Sequence, residues 1–173
     1  MGKYIFFGLL IFLVLLGALL TWKRMDEKKV LAEIHQSIPS IEFSSLDEKS
    51  VNLSTLIGRS LSLVVYFNST CPLCQSEAEL LVTHFQDREN LDFIFIFSEP
   101  VAEIRGFKES NHLEKLENVV FLSDTLFQFA HAFKLPGTPA TFLYDTEGKL
   151  VKEFMGTFNM QELKDAIAEV NGD

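Results

Sequence analysis

Two short apolar runs dictate most of the architecture. Residues 61–67 read Leu-Ser-Leu-Val-Val-Tyr-Phe, and residues 91–97 read Leu-Asp-Phe-Ile-Phe-Ile-Phe. Each has the length of a strand and is too continuously apolar to keep one face in water. Each is therefore expected as a strand buried on both faces. Between them Glu77, Leu80, Leu81, His84 and Phe85 recur at helical spacing. Strand, helix and strand in that order predict a right-handed crossover within a parallel sheet. The alternation continues with a helix over 100–110, a short strand over 118–122 and a helix capped by Asp124 that runs through Phe133. A loop dense in turn formers, residues 134–139, precedes strands over 140–144 and 150–154. The segment Asp145-Thr146-Glu147-Gly148-Lys149 joins those two strands as an antiparallel hairpin, and Asn159 caps a last helix over 160–170. Upstream, alternation at 41–43 and 51–53 around Asp47-Glu48-Lys49 predicts another hairpin, followed by a helical turn stopped by Gly58. The expected fold class is α/β, a mixed central sheet flanked by helices with an extra N-terminal β-hairpin. The 17 phenylalanines sit mainly on these strands and helix faces and are expected as core.

A different signal stands ahead of this domain. Residues 4–22 hold no charge and are dominated by Leu, Ile, Phe and Val. As a helix they would span about 28 Å, the hydrocarbon thickness of a bilayer. Trp22 followed by Lys23-Arg24 reads as an interfacial anchor. A cleaved signal would have a shorter apolar stretch and a small-residue cleavage motif, whereas Gly17-Ala18 runs into Leu19-Leu20. One transmembrane helix over 1–24, a charged stalk over 25–37 and a domain over 38–173 are therefore expected. Lys23, Arg24, Lys28 and Lys29 follow the span and only Lys3 precedes it, so charge alone would keep the domain on the cytoplasmic side. The net charge is −9, and the first 24 residues carry three basic and no acidic side chains, so the remainder is more acidic than the whole. That balance argues against nucleic acid, whose phosphates need clustered Lys and Arg. It also argues against adhesion of the domain to anionic lipid.

The chemistry is expected at Cys71 and Cys74, the only two cysteines. They lie three apart where the first buried strand meets its helix. Unpaired N–H groups and the helix dipole favour a thiolate on the first sulfur, and the second can resolve a mixed disulfide. A zinc site would need two more ligands, and His35, His84, His112 and His131 show no ligand spacing. As a static crosslink, so short a loop would constrain little of the unfolded chain. Pro139 opens the strand expected beside the one that leads to Cys71, and Gly137-Thr138 ahead of it suits either a cis turn or an ordinary trans strand start. Glu77 lies one helical turn past Cys74. It can share that face, raising thiol pKa and relaying a proton, or it can be a solvated helix glutamate.

Residues 67–77, followed by Gly-Thr-Pro-Ala-Thr-Phe-Leu-Tyr-Asp-Thr-Glu-Gly-Lys-Leu-Val from Gly137, resemble the thioredoxin fold. The added hairpin, the apolar anchor and Cys71, Cys74 and Glu77 in a Cys-x-x-Cys-x-x-Glu pattern look like the membrane-anchored TlpA/ResA-type thiol–disulfide oxidoreductases. The resemblance covers about residues 38–171. It implies Cys71 as the attacking thiolate, Cys74 as the resolving thiol, Glu77 as the acid beside them and Pro139 as cis against the disulfide. Thr138 would present its backbone to a client chain, with Pro72 and Leu73 beside it. It further implies protein disulfide or dithiol clients and an upstream electron donor, with no cofactor and no metal. The setting it implies is single-pass in a bacterial cytoplasmic membrane, with the catalytic domain in the periplasm or an equivalent extracytoplasmic space.

Three positions depart from the family. Thr70 stands where a Trp is usual, the intervening pair is Pro72-Leu73 with Pro first, and Val65 replaces the buried Asp of plain thioredoxin. The Cys-Pro-x-Cys order resembles more oxidising relatives. A peroxiredoxin would need Ser or Thr at the position of Asn68 and Pro at the position of Val64. The leading expectation is a membrane-tethered thiol–disulfide oxidoreductase acting as a reductase. The alternative is a thioredoxin-like binding or assembly module that holds a partner or metal through its thiols without turnover.

Overall fold

The computed structural model describes residues 2–36 and 38–171; at 2–5, 7, 9–11, 27, 28, 31 and 32 only the backbone is described. The chain divides into two compact units, Met1–His35 and Gln36–Asp173. The first is one helix, α1 (Gly2–Gln36). Among the described residues, no helix is long and apolar enough to cross a membrane. The anchor expected over 1–24 includes residue 1, which lies outside the described residues, and positions 2–5, 7 and 9–11, where only the backbone is described. Within it, Phe12, Leu13, Val14, Leu15, Leu16, Leu19 and Leu20 are exposed.

The second unit is built on a seven-stranded sheet ordered β2-β1-β5-β4-β3-β6-β7. Its strands are β1 (Glu42–Ser45), β2 (Ser50–Asn52), β3 (Ser62–Phe67), β4 (Asp92–Phe97), β5 (Val119–Ser123), β6 (Ala140–Tyr144) and β7 (Leu150–Met155). The three central strands β3, β4 and β5 are parallel, and β6 runs antiparallel to β3 with Val65 opposite Thr141. The helices are α2 (Pro72–Phe85), α3 (Val101–Ser110), α4 (Gln128–Ala132) and α5 (Met160–Asn171). The N-terminal hairpin does not stand apart: β1 pairs antiparallel with β5 and extends the sheet.

Strand alternation sorts the core into two layers. Leu63, Val65 and Phe67 face one side with Cys74, Ala78 and Leu81 of α2 and Leu163 and Ile167 of α5. Val64 and Tyr66 face the other side with Phe43, Phe129, Phe133 and Phe142. Every residue of β3 is buried, because helices or loops cover both faces.

One helix departs from the sequence pattern. The segment after Asp124 predicts a helix through Phe133, but α4 is a five-residue helix preceded by Phe127 at φ 55°. The Asp124 carboxylate still supplies the cap, accepting the N–H groups of Gln128 at 2.7 Å and Phe129 at 2.9 Å. It does so from four residues upstream, with a left-handed turn between cap and helix. A short 3-10 turn over Leu113–Lys115 also carries no clear sequence signal.

Candidate active site

Strand β3 ends at Phe67 and α2 begins at Pro72, so residues 68–71 form the joint between them. The joint is a side-chain-locked turn. Asn68 Oδ1 accepts the N–H of Thr70 at 3.0 Å and its hydroxyl at 2.6 Å, and the Asn68 carbonyl accepts the N–H of Cys71 at 3.2 Å. Thr70, at the position where a Trp is usual in the family it resembles, thus serves the turn. Cys71 is the N-cap of α2 with extended backbone (φ −82°, ψ 115°), and its Sγ accepts the N–H of Cys74 at 3.4 Å. Pro72 then occupies the first helical position, where a missing N–H costs nothing.

The two sulfurs occupy different environments although both are free thiols. Cys71 is half-buried, and its Sγ also reaches the Thr138 carbonyl oxygen at 3.9 Å. Burial works against its thiolate, but hydrogen bonds from Cys74, Thr138 and the Leu73 backbone outweigh it and hold its pKa below the ordinary thiol value. Cys74 is fully buried, and burial together with the bond to Cys71 pushes its thiol up to about 12. The pair is therefore asymmetric, with an accessible sulfur that ionises readily and an inner one that holds its proton.

The other sequence-predicted residues gather here or close by. The Thr138–Pro139 peptide is cis, the isomer that the family resemblance implies, and β6 follows it directly beside β3. The Pro139 carbonyl is held by the N–H of Gly156 at 2.9 Å, where the chain takes φ 92°, a conformation open to glycine. Pro72 and Leu73 are exposed, Leu73 at 52 %, so the rim of the site is apolar. Glu77 is no solvated glutamate: it is 1 % exposed. Its Oε1 accepts the N–H of Phe158 at 2.9 Å and its Oε2 has no hydrogen-bond partner. Burial, only partly offset by that bond, pushes its carboxyl up to about 7.

A second set of residues escapes the sequence patterns. Glu99, just past β4, accepts both the N–H of Ser69 at 2.8 Å and its hydroxyl at 2.9 Å. The Glu99 carbonyl in turn accepts the Ser123 hydroxyl at 2.6 Å. Behind these, the buried Tyr66 hydroxyl has Ser98 and the carboxylates of Asp124 and Glu99 around it, without a geometrically complete hydrogen bond to any of them. Burial, and then the two nearby carboxylates, raise its pKa. Parallel strands bring their carboxyl ends to one edge, so the only sequence clue is that polar pairs follow three consecutive apolar strands: Asn68-Ser69, Ser98-Glu99 and Ser123-Asp124.

A thioredoxin-like fold carrying a Cys-x-x-Cys at a helix N-cap and a cis proline beside it defines the class: thiol–disulfide oxidoreductases and their relatives. The chain belongs to the Redoxin family, which matches residues 33–169. Its fold is similar to that of a secreted Mycobacterium tuberculosis disulfide oxidoreductase homologous to Escherichia coli DsbE, at 19 % identity and TM-score 0.64 over 79 % of this chain and 98 % of that one. It is also similar to DsbF of the same organism (18 %, 0.65, 78 % and 99 %) and to StoA from Bacillus subtilis (14 %, 0.56, 76 % and 98 %). No curated protein matches the chain significantly.

Proposed function

We propose that this protein is a membrane-tethered thiol–disulfide oxidoreductase that exchanges disulfides with protein clients through Cys71 and Cys74, working as a reductase on the extracytoplasmic side. The observation that carries the reading is the asymmetry of the two thiols: Cys71 capped and lowered, Cys74 buried and raised. In the reducing direction the Cys71 thiolate attacks a client disulfide. A Cys71–client disulfide forms and one client thiolate leaves. Cys74 then loses its proton and attacks the Cys71 sulfur, giving the Cys71–Cys74 disulfide and releasing the second client thiolate. The client gains two electrons and two protons, and an upstream dithiol donor must reduce the pair again.

Glu77 is assigned the proton of Cys74. It lies one turn further along the same buried face, and a carboxyl pushed up to about 7 can gain and lose a proton near neutrality. Thr138, Pro139, Pro72 and Leu73 are assigned the client segment around its disulfide, supported by the cis turn and the exposed Leu73 side chain. Tethering rests on the uncharged run over 4–22 and on the exposed apolar side chains between Phe12 and Leu20.

The test is insulin reduction by the wild type and Cys71→Ser, with Cys74→Ser used to trap clients as mixed disulfides. Activity lost in Cys71→Ser and adducts trapped by Cys74→Ser are expected. An inactive wild type that still retains partners would favour the non-catalytic binding module. The potential of the couple decides direction: about −270 mV fits a reductase and about −120 mV an oxidase. Labelling of Asn171→Cys in intact cells, in a background lacking the native cysteines, reads the side of the membrane.

A further inference from the structure

We propose that Glu99 is a positioning residue for Cys71, its carboxylate holding the turn over 68–71 in the form that sets Cys71 at the N-cap of α2. The proposal deepens the oxidoreductase reading and rests on it for its functional meaning.

The argument begins with what fixes a half-buried sulfur in space. Against the cost of burial, Cys71 keeps its pKa low through hydrogen bonds with the Cys74 thiol, the Cys74 N–H at 3.4 Å and Thr138, and the N–H bond exists only while Cys71 sits at the N-cap. That position is inherited from Ser69 and Thr70, because no regular element holds residues 68–71. Ser69 is gripped from two sides. Its carbonyl accepts Gln75 Nε2 at 3.2 Å, which ties it to the first turn of α2. Its N–H and hydroxyl both donate to Glu99 Oε1. An ionised acceptor makes these the stronger kind of hydrogen bond.

Glu99 is itself anchored, since its carbonyl accepts the Ser123 hydroxyl from the end of β5, and Asn68 Nδ2 donates to the neighbouring Ser98 hydroxyl at 3.3 Å. The ends of three strands are thereby linked in series, and the last link bears on the segment that carries the nucleophile. Glu99 Oε2 makes no hydrogen bond, so the hold on Ser69 passes through Oε1 alone.

Charge and geometry predict opposite results, which makes the proposal testable. A carboxylate that acted on Cys71 through its charge would disfavour the thiolate, and removing the charge would lower the Cys71 pKa. A carboxylate that acts by holding the turn favours the thiolate, and removing it raises that pKa. The experiment is the pH profile of iodoacetamide alkylation of Cys71 in the full chain, where Cys74 stays protonated across the working range. Glu99→Ala should move the profile upward and slow alkylation at pH 7 by about 3- to 10-fold, the equivalent of half to one pKa unit. Glu99→Gln keeps a neutral acceptor at Oε1 and should shift the profile by less than Glu99→Ala does. Ser69→Ala keeps the N–H bond alone and should fall between them, and it decides the matter if Glu99→Ala does not fold. An unchanged profile in the folded Ala variants overturns the proposal, as does an equal shift in Glu99→Gln and Glu99→Ala. Alkylation needs no client, so an insulin-inactive wild type would sink the oxidoreductase reading while leaving this result intact.

Discussion

Glu77 Oε1 accepts the backbone N–H of Phe158 at 2.9 Å across 81 positions of chain. One buried carboxylate therefore fastens α2, a turn beyond Cys74, to the segment between β7 and α5. That bond satisfies one oxygen and leaves the other without a partner. The carboxylate is held in place yet poorly compensated, and this combination keeps its proton affinity high.

Stability should fall with rising pH because of Glu77. Its folded pKa, about 7, lies above the ordinary value of 4.5, so the folded state binds the proton more tightly than the unfolded chain. The contribution is fully favourable below about pH 4.5 and is lost as pH rises through about 7, to the extent of about 3 kcal/mol. Glu77→Gln keeps an acceptor for Phe158 and removes the titration. Denaturant unfolding at pH 5 and pH 8 should show the variant gaining on the wild type at the higher pH. Parallel slopes for the two proteins would refute the assignment.

Alkylation of the native protein should stop at one adduct per chain. At pH 7 iodoacetamide should modify Cys71 and spare Cys74, whose thiol is buried and pushed up to about 12. Mass spectrometry of the digested adduct reads the site directly. Modification first at Cys74 would reverse the assigned roles of the two sulfurs.

Thr141→Val should be neutral or stabilising by up to about 1 kcal/mol, measured by thermal or chemical unfolding. The Thr141 side chain is fully buried opposite Val65, and its hydroxyl has no hydrogen-bond partner. Valine keeps the shape and removes the stranded polar atom. A loss of more than about 1 kcal/mol would show that the hydroxyl has a partner in solution.

Phe67→Ala should cost about 3–5 kcal/mol. The ring is fully buried and meets Phe95 at 5.7 Å, Phe97 at 6.0 Å and Phe107 at 6.0 Å between centroids, so its removal leaves a void that three rigid rings cannot close. A loss below about 1 kcal/mol would mean that the aromatic layer repacks freely.

Strands and caps were legible where the information is local. The apolar runs over 61–67 and 91–97 announce buried strands because period and length suffice, and Asn159 announces α5 because its side chain accepts the N–H groups of Gln161 and Glu162 within its own turn. The Cys71–Cys74 spacing is likewise local. What was hidden depends on packing between distant segments. The Glu99–Ser69 contact spans 30 positions and the Glu77–Phe158 contact 81, and neither has a periodic signature. The truncation of α4 was hidden for another reason. Phe127 at φ 55° adopts a backbone that its residue type does not favour, so only the completed fold accounts for it.

The hairpin at the start of the domain has a bearing on self-association. Had β1 not paired with β5, a five-residue strand at the edge of the parallel core would lie open along one side. Instead the sheet ends in a three-residue strand, β2, on that side, and on the other in β7, which carries Lys152 and Glu153. Short or charged margins are poor templates for another chain's backbone. The same hairpin that lengthens the sheet therefore makes it a reluctant seed for strand-by-strand aggregation.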